Sequence, residues 1–400
     1  MCALVGKDVV LGVTGGIAAY KACDIVRELR RMRANVHPIL TASGAQFITP
    51  LTLQTLAKNP VVTDLFNLIS ESEIGHISLA QRAHLVVIAP ATANIIGKIR
   101  AGIADDMLST VVMATAAPVL LAPAMNTQMY ASAAVRENLE VLASRGFHLV
   151  EPGAGELACG SFGPGRLADT GTIVEMARIV LSEKILAGRR VVVSAGPTAE
   201  SLDPVRVLTN RASGKMGFAM ARAARRFGAD VTLVSGPSAL PDPPFLETVR
   251  VRTAAEMMEA VGSAAADADA VAMCAAVADF RPVQARPRKI KKQNFDDRLE
   301  LVPTVDILAT LGREKGKRIL VGFAAETDDI ESNALAKIRS KNLDAIVAND
   351  VSRSDIGFES DDNEVRIIFA DGEATDLPLA SKDGIAAGVW RALHAKLMAR

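Results

Sequence analysis

The chain has 400 residues, half of them hydrophobic and 22% charged, which is enough for two ordinary domains that each bury a full core. Its 45 basic and 45 acidic residues cancel, and aromatic residues make up only 4%, so a general nucleic-acid or membrane surface is not indicated. The 4 cysteines are scattered without CxxC spacing, and no segment has the pattern of a signal peptide or a membrane span. These features argue against a disulfide framework or a structural zinc site and favour a cytoplasmic location.

Short aliphatic runs alternate with helical patterns through the first half of the chain. The aliphatic runs predict buried strands at Asp8–Val13, Asn35–Leu40, Leu85–Ala89, Val119–Leu121 and His148–Val150. The helical patterns fall at Ile17–Arg31, Ala93–Ala101, Asp105–Ala116, Ser132–Arg145 and Gly171–Leu186.

The same alternation restarts after Gly188. Strands are predicted at Arg190–Ser194, Asp230–Val234, Ala270–Cys274, Arg318–Phe323, Ala345–Ala348 and Glu364–Phe369, and helices at Gly214–Phe227, Thr253–Ala265, Ile330–Lys341 and Gly384–Met398. Strands alternating with helices predict an α/β protein with two doubly wound, mainly parallel-sheet domains, residues 1–187 and 188–400. The basic, polar stretch 285–298 is expected to form a mobile flap.

A glycine-rich turn, residues 12–21, follows the first strand and opens the first helix. Glycines let backbone approach a ligand closely, and helix N-terminal amides favour phosphate. The turn is not a strict GxGxxG, and no early acidic residue follows the second strand, so a mononucleotide fits better than NAD. The alternative is a tight strand–helix turn without a ligand. The small residues of 89–94, with Thr92 and Asn94, suit contact with a flat ring.

Two polar residues of the first half are candidates for catalysis. His76 follows a glycine among polar neighbours and can take a proton near physiological pH, although a lone histidine is often structural. Asn126 follows the strand Val119–Leu121 and could bind a carboxylate, or it could form an Asx-turn or a helix cap.

Cys159 lies in the glycine-rich run 156–166, where neither helix nor strand is expected. A thiol on such a loop is well placed to move over a bound substrate. The alternative is a small buried hydrophobic residue, which is the usual role of a free cysteine.

The second half carries its own set of polar candidates. Ser213 and Gly214 open a helix and form an anion cradle that is not a Walker A sequence, the alternative being a simple capped helix start. Asp279 follows a strand end, and the flap brings Lys289. Clustered lysines on such a flap suit a triphosphate, although a charge run is more often a solvated surface. Lys337 and Lys341, spaced i, i+4, share one helix face.

Taken in order, the motifs GGIAAYK, PATAN, PAMNxxM and ELACGxxGPGR resemble those of the flavin-dependent cysteine decarboxylases. With the second half, the whole chain resembles the bifunctional phosphopantothenoylcysteine decarboxylase/phosphopantothenate–cysteine ligases of coenzyme A synthesis. Tyr130 stands where many relatives carry Trp, and Ser161 where many carry an acid. The resemblance implies a flavodoxin-like decarboxylase domain followed by a Rossmann-like ligase domain.

The resemblance also assigns roles in the first domain. His76 would assist oxidation of the substrate thiol, Asn126 would hold the substrate carboxylate, and Cys159 would donate a proton after carbon dioxide has left. FMN would lie against Thr14, Gly15, Gly16, Ile17, Thr41, Ser43, Pro90, Ala91, Thr92, Asn94, Met107, Ser109 and Thr110.

In the second domain the resemblance implies activation of 4′-phosphopantothenate by CTP and displacement of CMP by cysteine. Asn210 would bind the acyl-cytidylate, and Lys289 would act on the triphosphate and in the second step. CTP would contact Ala275, Asp279, Lys289, Val305, Asp306, Ile307, Leu308, Phe323, Lys337 and Lys341. Mg²⁺ would accompany the triphosphate, with Asp279 as its expected protein ligand.

A homo-oligomer is expected as well, with trimeric decarboxylase contacts and dimeric ligase contacts that could build a dodecamer. Two other classes of function are compatible with an α/β chain of this length. One is a regulatory binding protein, because some flavin-decarboxylase relatives serve as phosphatase-binding subunits. The other is a two-domain NAD-dependent dehydrogenase. The presence of His76, Asn126, Cys159 and Lys289 argues against the first.

Overall fold

The computed structural model describes residues 3–65, 75–157, 160, 162–291, 298–326, 330–350 and 360–398. It divides into two compact units, Met1–Ser182 and Glu183–Arg400. Leu186 already packs in the core of the second unit, where its N–H donates to the Phe227 carbonyl at 2.9 Å. The contacts therefore divide the chain a few residues before Gly188.

The first unit is built on five parallel strands in the order β2-β1-β3-β4-β5. This is the order of flavodoxin-like sheets, in which the strand order reverses between β1 and β3. Its strands are β1 (Asp8–Val13), β2 (Asn35–Leu40), β3 (Leu85–Ala91), β4 (Val119–Pro123) and β5 (His148–Leu149), and β6 (Gly153–Glu156) and β7 (Phe162–Arg166) form a separate hairpin. Its helices are α1 (Ala22–Arg31), α2 (Pro50–Ala57), α3 (Gly75–Arg82), α4 (Ala93–Ala101), α5 (Met107–Ala114), α6 (Thr127–Ala131), α7 (Ala133–Ser144) and α8 (Thr170–Leu181).

Helices cover both faces of this sheet, so the side chains on both faces of a strand are buried. This is why the strands are continuous aliphatic runs in the sequence. Every residue of β3 is buried, and so are five of the six residues of β1. The helix expected from Ile17 begins instead as a 3-10 turn, Ile17–Lys21, and becomes α-helical at Ala22.

The β6–β7 hairpin corrects one expectation, since the run 156–166 was expected to contain no strand. Gly163 and Gly165 adopt φ angles of 155° and 131°, which residues with a side chain rarely adopt. A Cβ on Gly165 would lie 2.3 Å from the Met125 carbonyl oxygen. Glycine is therefore required for the close packing of this hairpin on the loop after β4, not for an irregular loop.

The second unit holds an eight-stranded sheet in the order β12-β11-β8-β13-β16-β17-β18-β19. Its strands are β8 (Arg190–Ala195), β11 (Asp230–Ser235), β12 (Glu247–Arg250), β13 (Ala270–Met273), β16 (Ile319–Glu326), β17 (Ala345–Asp350), β18 (Asp362–Phe369) and β19 (Ala374–Ser381). Its helices are α9 (Lys215–Arg226), α10 (Ala254–Ala265), α11 (Ile307–Arg313), α12 (Ile330–Lys341) and α13 (Lys382–Leu393). The first six strands are parallel in the Rossmann order 3-2-1-4-5-6, and the last two add antiparallel strands at one edge.

Two short antiparallel hairpins extend from the carboxyl edge of the second sheet. One pairs β9 (Ala199–Ser201) with β10 (Val207–Thr209), and the other pairs β14 (Phe280–Pro282) with β15 (Leu301–Pro303). The stretch expected to be a flap is the connection between β14 and β15. Of its residues, 292–297 lie outside the described part of the chain.

Close packing fixes the start of α9 against the second sheet. A Cβ on Gly217 would lie 2.5 Å from the Ala195 Cβ and 2.7 Å from the Ser194 carbonyl oxygen. On the same helix, Met220 accepts a 2.9 Å hydrogen bond from the indole of fully buried Trp390 on α13. The N-terminal turn of α9 is thereby held beside the end of β8.

Candidate active sites

The first unit has a cavity of about 1030 Å³ at the carboxyl ends of its strands. Open α/β sheets bind ligands at this edge, where the strand order reverses. Nine of the residues expected to contact the cofactor line it: Thr14, Gly15, Gly16, Ile17, Thr41, Ser43, Thr92, Asn94 and Met107.

The glycine turn after β1 packs so closely against the neighbouring loops that a side chain on Gly15 would clash. A Cβ on Gly15 would lie 2.3 Å from the Ser43 Cβ. The Thr14 hydroxyl donates to the Pro90 carbonyl at 2.7 Å and accepts from the Thr92 N–H at 3.2 Å. Thr92 offers no side-chain cap to α4, so the positive end of that helix borders the cavity. These groups fit a planar ligand that carries a phosphate.

The other expected contact residues support the wall of this cavity from behind and do not line it. Pro90 supplies the carbonyl that receives the Thr14 hydroxyl, and Ala91 is fully buried in β3. Ser109 forms a capping box with Asp106, and the Thr110 hydroxyl donates to the Asp106 carbonyl at 2.7 Å. Their described contacts are those of residues that fix the ends of β3 and α5.

Asn126 combines the two roles that its sequence context left open. It caps α6, because its side-chain oxygen accepts from the Gln128 N–H at 2.8 Å, and it also lines the cavity. Its loop is fixed by the second hairpin strand, since the Met125 N–H donates to the Gly165 carbonyl at 3.0 Å. The amide is therefore held at the cavity by its own cap and by β7.

His76 is the second residue of α3 and does not line the cavity of its own chain. Its Nδ1 atom is buried and has no hydrogen-bond partner among the described residues. Cys159 and Ser161 lie outside the described residues. Glu156 and Leu157 line the cavity, so the segment that leads to Cys159 starts from the cavity wall.

Tyr130, which stands where many relatives carry Trp, has a defined packing role. Tyr130 packs against the core of the first unit, and its hydroxyl donates to Glu151 at 2.5 Å. Burial, reinforced by this hydrogen bond, raises the pKa of Tyr130 well above its usual range. Tyr130 is therefore a packing residue behind Asn126, whose carbonyl receives the Tyr130 N–H at 2.9 Å.

Two cations at the first cavity were not singled out from the sequence, although both belong to the quoted motifs. Lys21 ends the GGIAAYK turn and Arg166 ends GPGR, and both line the cavity. Burial, followed by the nearby charge of Arg166, lowers the pKa of Lys21. Two cations held together in this way favour an anionic ligand group.

The second unit has a cavity of about 590 Å³ at the carboxyl edge of its sheet. It is lined by almost all residues expected to bind the nucleotide: Asn210, Ala275, Asp279, Val305, Asp306, Ile307, Leu308, Phe323, Lys337 and Lys341. The exception is Lys289, which is exposed on the β14–β15 connection and does not line the cavity.

Asn210 joins two loops of this cavity. Its side-chain nitrogen donates to the carbonyls of Ala276 and Val277 at 3.2 and 3.1 Å. Ser213 and Gly214 line the cavity at the start of α9, and Gly214 takes a φ of 81° without a side-chain cap on the helix. The positive end of α9 therefore borders the cavity, as an anion cradle requires.

An ion pair fixes the opposite wall. Lys341 lies 2.8 Å from Asp306, which also caps α11 through the Ala309 N–H. Burial alone would raise the pKa of Asp306, but the hydrogen bonds from Lys341 and the Ala309 N–H, together with the charges of Lys341 and Arg313, hold this pKa below its usual value. The cavity also contains Lys215 and Lys382, which the sequence did not single out. Lys215 pairs with Asp361 at 2.7 Å, and Lys382 donates to the Ser360 carbonyl at 2.5 Å.

No metal centre formed by protein side chains alone is visible within the described ranges, where no three His, Cys, Asp or Glu residues cluster suitably. Asp279 is exposed and lines the second cavity. No helix in the described ranges combines the length and hydropathy of a membrane span.

Two family models together match almost the whole chain. Residues 3–181 match the family described as Flavoprotein, and residues 186–397 match the DNA/pantothenate metabolism flavoprotein C-terminal domain. The coenzyme A biosynthesis bifunctional protein CoaBC of Vibrio cholerae is 46% identical over 99% of this chain and 100% of its own length. That of Bacillus subtilis is 49% identical over 94% of both chains.

The chain belongs to the CoaBC family. It is also similar to a crystal structure of the C-terminal domain of a CoaBC protein, with 42% identity and a TM-score of 0.48 over 55% of this chain and 100% of that one. The family confirms the resemblance drawn from the motifs and makes the chain a bifunctional enzyme of coenzyme A biosynthesis, a decarboxylase and a ligase, with a flavoprotein domain. The hypotheses of a dehydrogenase and of a regulatory subunit are thereby excluded.

The contact between Gly15 and Ser43 gives a first prediction. Gly15→Ala places a methyl group 2.3 Å from the Ser43 Cβ. Relieving such overpacking costs about 1–3 kcal/mol, so we expect flavin affinity to fall about tenfold or more. Flavin absorbance per chain after dialysis measures it. Gly97→Ala in α4, where the nearest atom is 3.8 Å away, is the control. Wild-type flavin retention by Gly15→Ala would contradict the cavity assignment.

Proposed function

We propose that the chain converts 4′-phosphopantothenate to 4′-phosphopantetheine in two steps, with residues 188–400 as a CTP-dependent ligase domain and residues 1–187 as an FMN-dependent decarboxylase domain. One observation carries the proposal. Each unit has a large cavity at the carboxyl edge of its sheet, and each cavity is lined by most of the residues expected to bind the cofactor or the nucleotide of that half.

In the ligase step, a carboxylate oxygen of phosphopantothenate attacks the α-phosphorus of CTP and pyrophosphate leaves. The positive end of α9 at Gly214 borders the cavity and stabilises the negative charge of the phosphates, and Lys289 neutralises the triphosphate. Asn210 binds the acyl-cytidylate. The amine of cysteine then attacks the activated carbonyl, CMP leaves, and the amide of phosphopantothenoylcysteine is formed.

Mg²⁺ bound mainly by the triphosphate, with Asp279 as the protein ligand, completes this proposal. Mg²⁺ commonly binds through substrate phosphates and one or two carboxylates, while water molecules fill its other positions. Asp279 and Asp306 are the described carboxylates that line the cavity, and Asp306 is paired with Lys341, which fits this mode better than a cage formed by protein side chains. CTP contacts Phe323, Lys337, Lys341 and the segment 305–308, all of which line the cavity.

In the decarboxylase step, flavin bound in the first cavity supplies a reversible oxidation of the substrate thiol. His76 assists that oxidation, and Asn126 holds the substrate carboxylate that leaves as carbon dioxide. Cys159 then gives a proton to the enethiolate that remains, and the two electrons removed in the oxidation would return to it as a hydride, which gives the thiol of 4′-phosphopantetheine. An ordinary thiol has a pKa of about 8.5, close enough to working pH for this proton transfer. Lys21 and Arg166 supply positive charge for a phosphate group.

We further propose a cytoplasmic homo-oligomer with trimeric decarboxylase contacts and dimeric ligase contacts. His76 supports it, because the residue does not line the cavity of its own chain and would act at the cavity of a neighbouring subunit.

The proton-donor role of Cys159 is tested by Cys159→Ser. We expect flavin to stay bound and carbon dioxide to be released, while an oxidised enethiol product accumulates, because a serine hydroxyl is a far weaker acid. Mass spectrometry of the product after incubation with phosphopantothenoylcysteine decides it. Cys23→Ser, on α1 and away from the lining of the cavity, is the matched control. A normal yield of 4′-phosphopantetheine from Cys159→Ser would refute the role.

The choice of nucleotide is tested by pyrophosphate release from phosphopantothenate and cysteine with CTP or ATP. We expect release with CTP and not with ATP, since a cytosine is the smaller base and the Asp306–Lys341 ion pair fixes part of the wall. An assay that couples pyrophosphate to a colour change measures it, with a reaction lacking phosphopantothenate as the control. Release with ATP alone would overturn the assignment of CTP.

A further inference from the structure

Asp203 has an unusual environment for a carboxylate outside both cavities. It lies in the turn between β9 and β10, and its side chain is fully shielded from solvent. An acidic side chain is rarely buried unless hydrogen bonds and opposite charge compensate it. The described neighbours of Asp203 provide both, and one of them lies far away in the sequence.

The two oxygens of Asp203 have different partners. Oδ1 accepts from the N–H groups of Val205 and Arg206, at 2.7 and 2.8 Å, and so closes the turn. Oδ2 accepts from the Arg206 guanidinium at 2.8 Å and from the Ile290 N–H at 3.1 Å. One oxygen therefore holds the hairpin together, and the other reaches the residue that follows Lys289.

Further bonds tie the same stretch of the β14–β15 connection to this turn. The Arg206 guanidinium donates to the Ile290 carbonyl at 3.1 Å, and the Arg286 N–H donates to the Leu202 carbonyl at 2.9 Å. Burial alone would raise the pKa of Asp203, but the N–H groups of Val205, Ile290 and Arg206, with the Arg206 charge, hold it at about 2. The group is thus charged at any pH at which the enzyme would be assayed.

The β9–β10 hairpin also leads directly into the second cavity. Thr209 ends β10, its hydroxyl donates to the Thr198 carbonyl at 2.7 Å, and Asn210 follows at the cavity wall. The same small hairpin therefore carries Asn210 at one end and holds the backbone beside Lys289 at its turn.

We infer that Asp203 is a positioning residue of the ligase, which anchors the backbone directly after Lys289, at Ile290, to the hairpin that carries Asn210. The inference rests on the proposed role of Lys289. Asp203 itself touches no substrate. It keeps the exposed lysine within a fixed distance of the cavity, so less conformational freedom is lost when the nucleotide binds.

Asp203→Asn tests the anchor in the full-length protein. Asparagine keeps one oxygen for the turn, where it is a favoured residue, but places an amide nitrogen where Oδ2 receives the Ile290 N–H. We expect trypsin to cleave after Arg288 and Lys289 about tenfold faster, because a hydrogen bond to a charged group is lost and cleavage follows the open population. Mass spectrometry identifies the cleaved bonds.

Asp242→Asn removes the same charge from an exposed ion pair with Arg250 and is the matched control. We expect trypsin to cleave this variant after Arg288 and Lys289 at the same rate as the unchanged protein. Decarboxylation of added phosphopantothenoylcysteine should be normal in both variants and verifies that the first unit is folded, and an unchanged circular dichroism spectrum verifies the second. Unchanged cleavage of Asp203→Asn at Arg288 and Lys289 would overturn the inference.

A second pair of variants changes the partner instead of Asp203. Ile290→Pro removes the backbone donor and leaves the turn intact, whereas Ile290→Ala keeps the donor. We expect faster cleavage after Arg288 from the proline variant alone. Equal cleavage of the two variants would show that the Ile290 N–H does not anchor the segment.

A double-mutant cycle connects the anchor to ligase turnover. Asp203→Asn should lower ligase kcat/KM about tenfold when Lys289 is present and have little effect in the Lys289→Gln background. Equal effects in both backgrounds would mean that Asp203 does not act through Lys289. Unchanged turnover of Lys289→Gln would refute the proposed role of Lys289, whereas the cleavage rates test the anchor separately.

Discussion

In each sheet, a threonine hydroxyl after the first strand bonds to the loop after the strand beside it, at the place where the strand order reverses. Thr14 bridges to the Pro90 carbonyl and the Thr92 N–H in the first unit. Thr198 accepts from the Ala278 N–H at 2.9 Å in the second. Helices leave these two strands towards opposite faces, which opens a crevice. The threonine fixes the width of that crevice, and the binding residues on both loops depend on it.

Glycine at the same edges lets the loops approach each other. Gly15 meets the side chain of Ser43, and Gly217 meets the backbone of β8, at distances that a Cβ would not tolerate. The two units thus share the same arrangement of threonine, glycine and helix N-terminus beside the cavity. We expect an anion to bind at that helix N-terminus in each unit. Their chemistry differs because different residues follow the strands: Asn126 and the segment before Cys159 in one, Asn210 and Asp279 in the other.

Most strands of both sheets could be predicted from the sequence, because a buried parallel strand is a continuous aliphatic run such as Leu85–Ala91. The two edge strands of the second sheet, β12 and β19, were missed because none of their residues is buried and neither is a continuous aliphatic run. Residues that follow such strands, including Thr14, Asn126 and Asp279, were placed at the cavities for the same reason. Short hairpins could not be predicted. The β6–β7 hairpin was missed because glycine in it serves close packing and carries no strand propensity.

Hydrogen bonds between residues far apart in the chain could not be predicted from the sequence either. Asp203 and Ile290 are 87 residues apart, and nothing in either local pattern links them. Ser109 and Thr110 were assigned to the cofactor through the resemblance to the family, whereas their described contacts cap and support α5. Similarity of sequence therefore indicates which segments form the wall of the cavity. Only the contacts in the folded chain show which of their residues line the cavity and which hold the lining residues in place.

If this single chain performs both steps, the products form in a fixed ratio when the purified, flavin-loaded protein is given 4′-phosphopantothenate, cysteine, CTP and Mg²⁺. We expect CMP, pyrophosphate, carbon dioxide and 4′-phosphopantetheine in equal amounts when the four are quantified together. Accumulation of phosphopantothenoylcysteine without carbon dioxide, or release of carbon dioxide only from added phosphopantothenoylcysteine, would contradict it.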